Sequence, residues 1–84
     1  MTSATDLKTK AIVANIRKIR ELRNYTQDYL AAKLKISQNA YSKIELGYSS
    51  ITLYRLIQIS DILEVKLVDL VDIENSEQML QKFR

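Results

Sequence analysis

Thr26 to Gly47 is the stretch that most limits what this chain can become, because it must hold two helices and the turn between them. Thr26 is a good N-cap for a helix over about residues 27–34. Its hydroxyl can accept one of the amide protons that a helix start leaves unpaired. Leu30 and Leu34 point inward, and Ala31 is small enough to let another helix cross closely. Lys35-Ile36 makes the turn with Ile36 buried, and Ser37 caps a second helix over about residues 38–46, with Tyr41 and Ile44 on its inner face. Gly47, the chain's single glycine, sits where that helix should end in a left-handed cap. The second helix opens with Gln38 and Asn39 and carries Lys43 further along. Carboxamides and an amine on one short helix are chemically suited to base edges and phosphates.

The same signals run through the rest of the sequence. Thr5 or Asp6 can cap a first helix reaching about Arg23, with Ile12, Ile16, Ile19 and Leu22 on one stripe. Asn24 tolerates the left-handed conformation and is a plausible stop. Thr52 caps a fourth helix that turns Leu53, Leu56, Ile57, Ile59 and Leu63 mostly inward. A short fifth helix follows with Leu67, Leu70 and Val71. Asn75 and Gln78 have capping-box spacing ahead of a last helix that places Met79, Leu80 and Phe83 on one side.

Composition narrows the function classes. Hydrophobic residues make up 46% of the chain, and the absence of Pro beside one Gly suits an all-helical fold. Without Cys or His, disulfides and Cys/His metal sites are excluded, and no cofactor is implied. No paired acid and base, and no activated nucleophile, stands in a recognisable arrangement, so an enzyme is not expected. No apolar run reaches membrane-spanning length and the N-terminus lacks a signal-peptide pattern, which makes a cytoplasmic protein with no membrane role the expectation. Residues 1–36 carry eight Lys/Arg against three acids, and residues 37–84 carry five against seven. A basic half beside an acidic half fits a module with one nucleic-acid-facing side, although ordinary solvated faces would look the same.

Four groups of residues occur in order. They are Ile16-Arg17-x-x-Arg20, Thr26-Gln27-x-x-Leu30-Ala31, Ser37-Gln38-x-x-Tyr41-Ser42-Lys43-Ile44-Glu45-x-Gly47, and Leu53-x-x-Leu56-x-x-Ile59-x-x-x-Leu63-x-Val65. Together they resemble the phage repressor/Cro-like (Xre-type) helix-turn-helix family of bacterial DNA-binding transcriptional regulators, over about residues 12–70. The resemblance implies an all-α, compact bundle of five short helices, with a helix-turn-helix formed by the second and third, plus a short C-terminal helix. Residues 1–71 form the DNA-binding unit, 1–10 being an N-terminal extension of the first helix, and 72–84 form a helical tail.

The resemblance also implies roles. Gln38, Asn39 and Lys43 would contact bases of double-stranded DNA; Thr26, Gln27, Ser42, Tyr48, Ser49 and Lys35 would contact phosphates. Arg20 and Glu45 match a structural ion pair bridging the first and third helices. There are departures too: Lys35 and Glu64 stand where the family usually has Gly, Ile51 where Pro is frequent, and Ser60 where Ala is. The expected function is a sequence-specific transcriptional regulator, a repressor reading a palindromic operator as a homodimer. Met79, Leu80 and Phe83 either complete the monomer core or form the two-fold interface, and the interface is the expectation. The alternative is an antitoxin-like or assembly protein whose main partner is another protein.

Overall fold

The computed structural model describes residues 3–48 and 50–84. Six helices follow in order among them: α1 (Ala4–Leu22), α2 (Gln27–Leu34), α3 (Gln38–Glu45), α4 (Leu53–Leu63), α5 (Leu67–Leu70) and α6 (Ser76–Gln81).

Caps set most of these boundaries. Thr26, Ser37 and Thr52 each accept a backbone N–H three residues on, at 3.0 Å, and so open α2, α3 and α4. At α1 the cap is Ser3, earlier than the Thr5 or Asp6 expected from sequence: its hydroxyl accepts from the Asp6 N–H at 3.0 Å, and the Asp6 carboxylate accepts the Ser3 N–H at 3.4 Å. Asp6 therefore belongs to the cap as its third-position acceptor. The expected capping box at Asn75 does not form. Asp72 Oδ1 accepts the Asn75 N–H instead, at 3.2 Å, and turns the chain into α6.

Asn24, Lys35 and Glu64 all take the left-handed conformation, with φ of 60°, 60° and 59°. Lys35 and Glu64 thus hold a turn geometry that glycine adopts most readily, and their N–H groups reach carbonyls of the preceding turn. The orphan carbonyls gained as partners there offset a left-handed strain of roughly 1–2 kcal/mol per residue.

The core is one cluster. Val13, Ile16 and Ile19 of α1 meet Leu30, Ala31 and Leu34 of α2, Tyr41 and Ile44 of α3, and Leu56, Ile59 and Leu63 of α4. Leu70, Met79 and Leu80 close it from the C-terminal side. Two expected core residues are not in it: Leu53 is 65% and Ile57 41% exposed. The inner stripe of α4 runs through Leu56, Ile59, Ser60 and Leu63, leaving positions 53 and 57 one turn apart on the outer flank.

The C-terminal end corrects the interface expectation as well. Met79 and Leu80 are 1% and 0% exposed, packed inside their own chain, so a two-fold contact cannot be built on them without opening the monomer. Phe83 is half-buried beneath the Arg23 guanidinium, 5.4 Å from the ring centre. Arg23 also donates to the carbonyls of Leu63 and Glu64, at 3.0 and 3.2 Å. Buried Asn15, on the apolar stripe of α1, donates to the carbonyls of Leu70 and Asp72 at 3.0 and 3.2 Å and so ties the α5–α6 connection to α1. Buried Asp69 accepts from Lys82 Nζ at 3.0 Å and from the Lys66 N–H at 3.3 Å.

Candidate nucleic-acid interface

The candidate surface is held from behind by a buried polar knot. The Arg20 guanidinium meets the Glu45 carboxylate in a two-pronged pair, Nε to Oε2 at 2.7 Å and the second nitrogen to Oε1 at 3.1 Å. Both residues are buried, and the remaining Arg20 nitrogen donates to the Tyr25 carbonyl at 2.8 Å. The hydroxyl of fully buried Tyr41 donates to Glu45 Oε2, and Gln27 Nε2 donates to Oε1 at 3.1 Å. One carboxylate at the end of α3 therefore joins α1, α2 and its own helix, each with a charge-assisted bond.

The electrostatics of the knot follow from that geometry. Burial alone would push the Glu45 carboxyl up, but the hydrogen bonds from Arg20, Tyr41 and Gln27 outweigh it and hold the group below its ordinary value. The Glu45 hydrogen bond raises Arg20 further into its charged form against the cost of burial. Tyr41 is driven strongly upward by burial and by its bond to the carboxylate, and stays a phenol. At neutral pH the knot is one guanidinium, one carboxylate and two neutral donors.

Pinned this way, α3 turns its other side outward. Gln38, Asn39 and Lys43 are all exposed, and Ser42 is half-buried beside them. Lys43 has no ion-pair partner among the described residues. Gln27, at the first position of α2, lies between the knot and the surface: its Nε2 faces Glu45, and its Oε1 accepts from Gln38 Nε2 at 3.4 Å. Thr26 is exposed with its hydroxyl engaged in the α2 cap, and Lys35 is exposed in the turn. Tyr48 is 77% exposed beyond α3. Ser49 lies outside the described residues.

Thus the N-terminal ends of α2 and α3 meet at the Gln27–Gln38 contact. Helix starts supply amide dipoles suited to anions. Gly47 adds a close approach: with φ of 76°, its missing Cβ would lie 3.3 Å from Lys10 Cγ, so the stem of Lys10 crosses the end of α3 there.

Sequence reasoning missed the place of Gln27 and Tyr41 in the knot, and of Asn15 in the C-terminal closure. Asn15 carried a legible signal, a carboxamide three or four residues from Ile12 and Ile19 on an apolar stripe. Tyr41 carried one as well, since Glu45 stands four residues on along the same helix. Gln27 carried none, because its partners depend on how α2 and α3 cross.

Comparison with known proteins places this architecture. Residues 16–70 match the helix-turn-helix family, from the last turns of α1 to the end of α5. The chain is 39% identical over 67 residues to a protein of Bacillus subtilis (strain 168) named "Uncharacterized HTH-type transcriptional regulator YqaE". That alignment covers 80% of this chain, which spans 58% of the relative's length. No solved structure matches the chain. With the ordered motifs on its helices and the family match over most of its length, the chain belongs to the helix-turn-helix family of the phage repressor/Cro-like (Xre-type) kind.

Proposed function

We propose that this protein is a sequence-specific double-stranded-DNA-binding transcription regulator, a repressor that reads a palindromic operator as a homodimer in the cytoplasm and catalyses no reaction. One observation carries the proposal: a helix anchored from behind by a buried ion pair presents Gln38, Asn39 and Lys43 together to solvent. In this reading α3 enters the major groove, where carboxamides match adenine and an amine matches guanine. Thr26, Gln27, Lys35, Ser42, Tyr48 and Ser49 serve the phosphates around it and set the register without reading sequence. The named function of the Bacillus relative supports the regulatory role.

Two copies are proposed because one short helix reads few base pairs, and half-sites lie one turn apart, about 34–36 Å. The longest extents of one chain, 33 and 30 Å, allow neighbours at that spacing. Titration of the protein against duplexes selected from a random pool tests the proposal. A preferred palindrome, with Lys43→Ala losing about 1–3 kcal/mol and relaxing one base position, is the expected result. Equal binding to selected and random duplexes would overturn it.

A second reading is favoured by a different observation. Leu53, Tyr54 and Ile57 stand exposed within one turn of α4, an apolar surface of the kind a protein partner covers. An antitoxin-like or assembly protein would use it. A stable partner at fixed stoichiometry, together with weak duplex binding, would favour that role.

A further inference from the structure

We infer that Lys10, on the part of α1 that precedes the family match, is the cation that anchors the α3–α4 loop to the DNA backbone. The inference rests on the proposal that α3 lies in the major groove of a duplex.

A helix in the major groove has a phosphate strand along each side, so the chain leaving its end passes one of them. Here that chain has no cation of its own. Between Lys43 and Arg55 the sequence holds neither Lys nor Arg. Arg55 is half-buried, and one of its guanidinium nitrogens donates to Gln58 Oε1 at 3.2 Å and to the Leu34 carbonyl at 3.5 Å. The first amides of the loop are engaged too: the Gly47 N–H donates to the Ile44 carbonyl and the Tyr48 N–H to the Lys43 carbonyl, each at 3.0 Å. The Tyr48 hydroxyl can donate to a phosphate, but it neutralises no charge.

Lys10 stands where that cation is missing. Its stem runs along the α3 stop: Cγ and Cε lie 3.3 and 4.0 Å from the point where a Gly47 Cβ would be. The amine is one bond beyond Cε, so it stands beside the loop. Asp6 is four residues before Lys10, a spacing that commonly pairs acid with base on a helix. Yet Lys10 is exposed and forms no ion pair among the described residues, and the Asp6 carboxylate accepts the Ser3 N–H in the α1 cap. Thr5, Asp6 and Thr9 face Tyr48 and Ser50 across an open hollow, so the first turns of α1 back the loop as a whole. Of the charged α1 side chains beside the loop, Asp6 repels a phosphate and Lys10 attracts it.

Duplex titrations over a range of salt concentrations test this with wild type, Lys10→Met and Lys8→Gln. Met keeps an apolar stem without the charge. Lys8, two residues away, leaves α1 about 160° around the helix and controls for net charge. Lys10→Met is expected to weaken selected and random duplexes by one common factor. It should also lower the slope of log affinity against log salt by about 0.9, the share of one phosphate. Its deficit against wild type should therefore shrink about three- to fourfold between about 50 and 200 mM salt. Lys8→Gln should change the slope clearly less, and Lys10→Arg should restore it. Duplexes carrying a neutral methylphosphonate at one backbone position after another locate the contact. One position in each half-site should weaken wild type and leave Lys10→Met unaffected. The inference is overturned if Lys10→Met keeps the wild-type slope, if Lys8→Gln lowers it equally, or if wild type and Lys10→Met respond alike to every methylphosphonate. If wild type binds no duplex at low salt, duplex binding itself fails and this inference falls with it.

Discussion

Glu45 concentrates more of the energetics than any other side chain at the site, because Arg20, Tyr41 and Gln27 all converge on it. Removing one partner of a buried ion pair leaves an uncompensated charge. Arg20→Met is therefore expected to cost about 3–5 kcal/mol, read from the shift of a urea unfolding midpoint. The pH dependence follows from the two shifted groups. The folded Glu45 pKa lies below the unfolded one, so its contribution is full above the ordinary glutamate value and is lost as pH falls through the folded value. Tyr41 is shifted upward, so its contribution is full below its ordinary value of 10.0 and is lost as pH climbs above it. Glu45→Gln should flatten the acid limb of a stability–pH curve and Tyr41→Phe the alkaline limb; unchanged limbs would show that the knot does not titrate with folding. Family resemblance by itself points to Arg20 and Glu45, whereas Tyr41 reads from its stripe as a core ring. Its bond to Glu45 joins residues four apart on one helix, so that pairing was open to local spacing.

At the scale of elements, hydroxyl caps and left-handed stops set most boundaries. The caps Thr26, Ser37 and Thr52 were legible because a cap is a local bond, complete within four residues. Ser3 was harder to see, since Thr5 and Asp6 beside it are equally good cap formers by type. Glycine exchanges test the three stops that follow α2, α3 and α4. Lys35→Gly and Glu64→Gly relieve left-handed strain but loosen the unfolded chain, so each should stabilise by about 1 kcal/mol or less. Gly47→Ala should act in the opposite direction and destabilise by roughly 1–2 kcal/mol. Its φ of 76° accounts for that loss more than crowding does, because the nearest atom belongs to the flexible Lys10 stem. Thermal melts of the three variants would check both signs.

For the whole molecule, α6 closes the core. Leu80 is completely buried, and the Arg23–Phe83 and Lys82–Asp69 contacts fasten the same end. Leu80→Ala should then cost about 2–5 kcal/mol of global stability in denaturant unfolding, the usual range for a fully enclosed leucine. A loss well under 1 kcal/mol would mean that α6 is not integral to the fold. The duplex-binding proposal has a molecular-scale signature as well: the logarithm of affinity should fall linearly with the logarithm of salt concentration, by about 0.9 for each phosphate neutralised.

What the amino-acid order determined by itself was the helical class, the helix-turn-helix from Thr26 to Gly47, and the family. These rest on bonds and stripes that repeat within one or two helical turns. The tertiary structure decided what local spacing leaves open. It placed Met79 and Leu80 in the monomer core, though three apolar residues on one helix face serve an interface or an interior equally well. It moved Leu53 and Ile57 to the surface, because α4 can bury only one stripe. And it drew Gln27 between Glu45 and Gln38, since contacts between side chains 11 and 18 residues apart exist only once α2 and α3 have packed together.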